Sequence, residues 1–96
     1  MKKVYYDPTD KKTSVPDAKA MEYAEKLLKE DVLYVSNALV ILSIRVLIKR
    51  QSLAHNEVEF HFNGQIITVN EVGGQYNHPV GYCDEIDALF AELFGI

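Results

Sequence analysis

Between Val58 and Val69 apolar and polar side chains alternate about a central Asn63-Gly64, with Val58, Phe60 and Phe62 before the pair and Ile67 and Val69 after it. Asn-Gly accepts the positive φ angles of a two-residue type I′ turn, so this stretch predicts a β-hairpin with Phe62 opposite Gln65. The same register sets Phe60 opposite Ile67 and Val58 opposite Val69 on an apolar face. Glu59 then faces Thr68, and His61 faces Ile66, on the other side. A lone hairpin is marginal in water and needs a third strand and a helical layer. Residues 2–6, rich in Val and Tyr and stopped by Asp7-Pro8, supply the expected third strand.

A helical period appears in three places. Ser14 can cap a helix that has Pro16 in its first turn and Asp17 in a capping-box position, running to about residue 30 after a solvated loop over 9–14. Its apolar stripe is Ala20, Met21, Ala24, Leu27 and Leu28, and Glu22/Lys26 and Glu25/Lys29 are i,i+4 pairs in the favourable order. Residues 32–51 pull two ways: every even position from Ala38 to Ile48 is apolar, as in a strand, but the segment is far longer than a strand. Ser36-Asn37 as an N-cap and Lys49-Arg50 near the C-terminal end of the dipole favour a buried helix over 36–51. Asp84 caps a final helix whose stripe is Ile86, Leu89, Phe90, Leu93 and Phe94. The expected fold is therefore α+β, one domain over residues 1–96. A small antiparallel sheet, made of the N-terminal strand and the Asn-Gly hairpin, packs against about three helices in the order β-α-α-β-β-α.

Charge changes this picture. All ten Lys and Arg residues lie in the first fifty positions, with seven carboxylates beside them; the remaining forty-six positions hold seven carboxylates and no cation. The halves carry +3 and −7. Asp84, Glu85 and Asp87 are accounted for by the dipole of the final helix, and Glu57, Glu59 and Glu71 mark the polar side and ends of the hairpin. Capping explains the signs but not the missing cations. With 48% hydrophobic and 25% charged residues the composition is that of a globular chain. A net charge of −4 argues against direct nucleic-acid binding. The longest apolar run spans eleven residues and includes Ser43 and Arg45, too short for a membrane helix. With a single cysteine, Cys83, and no apolar leader after Met1-Lys2-Lys3, a reducing cytoplasmic setting is expected.

Candidate chemistry is sparse. The loop 73–84 gathers Tyr76, His78, Tyr82, Cys83 and Asp84 beside a helix start, where free N–H groups can meet an anion. Cys83 and His78 lack an orienting third group, and His55, His61, His78 and Cys83 match no metal-ligand spacing. Gly73-Gly74 lacks the lysine and hydroxyl residue of a phosphate-binding loop and reads as a turn. Asp7 and Asp10 form a carboxylate pair that turn chemistry explains equally well. Neither a catalytic residue, a metal nor a cofactor is assigned.

These features point to a small soluble non-catalytic interaction module, an accessory factor or inhibitor. Its hairpin and C-terminal helix would offer Glu57, Glu59, His61 and Glu85 to a basic surface on a protein partner or on a second copy of itself. The alternative is a small-ligand or anion-binding domain using the loop Gly73 to Asp84, with Tyr76, His78, Tyr82 and the N–H groups near Cys83, although Asp84 and Glu85 beside it would repel an anion.

Overall fold

A computed structural model describes residues 1–74, in which the chain runs β1 (Lys2–Tyr6), α1 (Ala20–Ala24), β2 (Val32–Val35), α2 (Ala38–Lys49), β3 (Val58–Phe62) and β4 (Gln65–Ile67). The strands make one four-stranded sheet in the order β2-β1-β3-β4. The α+β class is as expected, but the sheet is mixed rather than antiparallel: β1 runs parallel to both β2 and β3, and only β3 and β4 are antiparallel. Each parallel step needs a long crossover, and the segments carrying α1 and α2 provide the two. The element order over the described residues is β-α-β-α-β-β, which corrects the expected β-α-α-β-β; the predicted final helix lies outside them.

The hairpin forms in the expected register, with Phe60 opposite Ile67, His61 opposite Ile66 and Phe62 opposite Gln65. Asn63 and Gly64 take φ of 49° and 76°, as a type I′ turn requires. Helix α2 also forms where expected. Asn37 Oδ1 accepts from Leu39 N at 2.9 Å, while its Nδ2 donates to Val15 O and Asp17 Oδ1, both at 2.8 Å, so one side chain caps α2 and pins the chain entering α1. At the far end Gln51 N donates to Ile48 O and Ser52 N to Leu47 O, a Schellman closure with Gln51 at φ 65° where glycine is usual.

The first helix is not continuous from Ser14. Ser14 instead closes a 3₁₀ turn over Lys11–Thr13, and α1 is flanked by 3₁₀ turns at Asp17–Lys19 and Glu25–Leu28. Asp17, the expected capping partner, is engaged by Asn37. A 3₁₀ turn advances about three residues per turn, so the stripe set by Ala20 and Ala24 carries Leu27 into the core but leaves Leu28 41% exposed. The expected Glu22/Lys26 and Glu25/Lys29 ion pairs do not form. Lys19 meets Glu22 at 3.5 Å, and Lys26 sits 4.9 Å from the centre of the Tyr23 ring.

One core lies between the helices and one face of the sheet. Val4, Leu33, Val35, Val58, Phe60 and Ile67 from the strands meet Ala24, Leu27, Val40, Ile41, Ile44 and Ile48 from the helical layer, all buried. After β4, Asn70 closes a compact turn. Its Oδ1 accepts from Val72 N and Gly74 N, and its backbone exchanges hydrogen bonds with Gly73 and Gly74. This turn docks on α2: Arg45 Nε donates to Gly73 O at 2.8 Å, and a Cβ on Gly73, at φ +81°, would stand 2.5 Å from Arg45 O. Gly73-Gly74 is therefore a packed turn, as its sequence implied.

The edge strand β2 is guarded. Asp31 and Val35 turn their carbonyls toward β1, so that of Tyr34 points outward, where the Tyr23 hydroxyl donates to it at 2.7 Å. Burial first, then the negative charges of Glu30 and Asp10, raise the Tyr23 pKa and keep the phenol a donor.

Candidate functional site

Strand alternation that sends Val4, Leu33 and Phe60 into the core sends their neighbours to the opposite, outer face. Lys3 lies level with Val32 and Glu59 in one row; in the next, Tyr5 lies level with Tyr34 on one side and His61 on the other, and His61 is level with Ile66. The second row crosses all four strands. The Tyr5 and Tyr34 rings stack at 5.4 Å with 20° between their planes, and the His61 ring tilts against Tyr5 at 4.9 Å. Tyr34 is 58% exposed and Ile66 49%. A row of this kind, half aromatic and half wet, differs in composition from the wholly apolar core on the other face.

His61 Nε2 stands 3.5 Å from Glu59 Oε1, close enough for attraction when the imidazole is charged. The contact lacks hydrogen-bond geometry, and Nε2, shielded from solvent, makes no hydrogen bond. Glu59 is also level with Lys3 through the parallel pairing of β1 and β3. A cation from the other half of the chain thus shares the row of Glu59, although among the described residues no ion pair joins the two side chains. The hairpin's outward face is less acidic than its own residues suggest.

At the carboxyl ends of β1, β2 and β3 this face runs into a crevice of about 360 Å³, whose walls include Tyr5, Asp7, Asp10, Tyr34, His61 and Asn63. The parallel strands set its position, because Tyr5, Tyr34 and His61 stand at one level and the chain leaves β1 directly into Asp7. Asp7 Oδ1 accepts from Thr9 Oγ1 at 2.7 Å and Thr9 N at 3.0 Å. The hydroxyl first, and then the amide, hold the Asp7 pKa below its usual value. Asp10 Oδ1 accepts from Lys12 N at 2.9 Å. Turn chemistry therefore does occupy both carboxylates, and both still line the crevice.

Of the expected binding residues, Glu59 and His61 come together on the outer face. Glu57 is exposed in the 3₁₀ turn His55–Glu57 that leads into β3. Tyr76, His78, Tyr82, Asp84 and Glu85 lie outside the described residues, as does Cys83. Sequence reasoning missed Tyr5 and Tyr34. The signal was present in the alternation of Val32-Leu33-Tyr34-Val35 and Lys3-Val4-Tyr5-Tyr6, but only the pairing of β1 with β2 and β3 joins these rings to His61. Among the described residues no group of three or more His, Cys, Asp or Glu side chains could hold a metal ion, and no helix is long and apolar enough to cross a membrane. Comparison with known proteins finds no matching family model, no matching curated protein and no matching solved structure.

Proposed function

We propose that this chain is a non-catalytic protein-interaction module whose outer sheet face receives a partner with a basic surface. The observation that carries the reading is the row Tyr34, Tyr5, His61 and Ile66, which crosses all four strands and remains open to solvent at both ends. Exposed aromatic rings offer large contact area at a small loss of rotamer freedom, and Glu59 beside them supplies electrostatic preference. Binding to a second copy is the homotypic form of the same reading, with the lysine-rich first half as the basic surface.

The test is capture of partners from extracts of the cells that make the protein, using wild type, Tyr34→Ser and the charge reversal Glu59→Lys. Capture is expected to weaken in high salt and in each single variant, and to be lost when Tyr34→Ser and Glu59→Lys are combined. Capture insensitive to both salt and the two substitutions overturns the reading, and sedimentation at low salt separates the homotypic from the heterotypic form.

A further inference from the structure

We infer that the crevice at the carboxyl ends of β1, β2 and β3 receives an organic cation, the lysine or arginine head of a side chain inserted by a protein partner. The assignment rests on the interaction reading above and names the group that the partner buries. Two carboxylates, Asp7 and Asp10, stand at this crevice with the rings of Tyr5 and Tyr34, and neither lysine nor arginine lines it among the described residues. Residues 75–96 contain no Lys or Arg, so they can bring none. Lys11 and Lys12 follow Asp10 in sequence yet are absent from the walls. The hollow beside α1 differs in kind, because Lys19 and Lys26 share it with Glu22.

Three features favour a cation over other occupants. Asp7 is held ionised by Thr9, and neither Asp7 nor Asp10 is in an ion pair, so their charge is not already satisfied. Ring faces attract cations through their quadrupoles, and Tyr34 is largely exposed where the outer face meets the crevice. His61, on the same wall, sets its ring against Tyr5 at 4.9 Å and so extends the aromatic surface of the crevice. An anion would face two carboxylates here, and an apolar side chain would leave all of these groups unused.

The full chain, labelled with ¹⁵N, is titrated with Nα-acetyl-lysine-N-methylamide and its arginine counterpart, with the norleucine analogue as a neutral control and sodium chloride matched throughout. Saturable shifts confined to Tyr5, Asp7, Tyr34 and His61 are expected for the cations and not for norleucine. Asp7→Asn and Asp10→Asn keep the turn and capping acceptors while removing charge, and each is expected to weaken binding about two- to fivefold; Tyr34→Leu should do the same. Shifts that norleucine or salt reproduces, or that survive the Asp7→Asn/Asp10→Asn double variant, overturn the assignment. Loss of probe binding with partner capture on the outer face intact overturns the crevice alone. Probe binding without any captured partner supports the cation site and overturns the interaction reading. A spermidine arm that binds far more tightly than the lysine probe overturns the partner side chain as the source and points to a free polyamine.

Discussion

The two faces of the sheet are built from the same strands, yet they obey different rules. On the inner face Val4, Leu33, Val35, Val58, Phe60 and Ile67 are selected for volume, and each is enclosed by neighbours from both layers. On the outer face Lys3, Tyr5, Tyr34, Glu59 and His61 are polar or aromatic, and most remain in reach of water. Burial on one side stabilises the strands well enough for the other side to carry polar and aromatic groups that contribute little to folding. The comparison teaches that the polar and aromatic residues of the strands collect where packing makes the weakest demand.

Phe60 and Glu59 are adjacent on β3 and point opposite ways, so they give the sharpest test. Phe60→Ala is expected to lower stability by about 3–5 kcal/mol, read as a fall in the urea midpoint, whereas Glu59→Gln should stay within about 0.5 kcal/mol. Equal losses would show that the outer face is also structural. Two glycines make a similar pair of lesser size. Gly73→Ala meets the Arg45 carbonyl and a positive φ, and should cost about 2 kcal/mol or more by thermal or urea unfolding. Gly64 has a positive φ but open space around it, so Gly64→Ala should cost about 1 kcal/mol. The smallest effect lies at the crevice rim. The lowered Asp7 pKa means that the unfolded carboxylate takes its proton at a higher pH than the folded one. Its contribution is present above pH 3.8 and is lost as pH falls through the lower folded value. Thr9→Ala should move the Asp7 titration, followed by carboxyl ¹³C shifts, back toward 3.8 and flatten the acid limb of the stability curve slightly.

What could be read from the sequence follows the range of the forces involved. The hairpin was legible because Asn63-Gly64 fixes its turn and its register within a dozen residues. Helix α2 was legible through Asn37, whose cap forms as expected, and through a length no strand would reach. Strand β2 was not: only Ser36-Asn37 separate its four residues from the apolar run of α2, and its partner β1 lies some thirty positions away. The first helix is broken up, and Asp17, its expected capping partner, is instead held by Asn37 in a tertiary contact that no local pattern announces. At the candidate site, alternation alone put Glu59 and His61 on one face. Their aromatic companions and the opposing Lys3 come from the parallel pairing of β1 with its neighbours, and parallel pairing leaves no turn to read.

The Tyr23 hydroxyl holds one carbonyl on the edge of β2, and its influence extends beyond a single molecule. A sheet whose last strand offers a free acceptor row can be extended by any other chain, and repeated extension makes a fibre. By filling the outward acceptor of Tyr34 with a side chain from α1, the molecule removes one backbone group to which a strand of another chain could pair side by side. A single phenol oxygen thereby leaves this edge one acceptor short for such pairing.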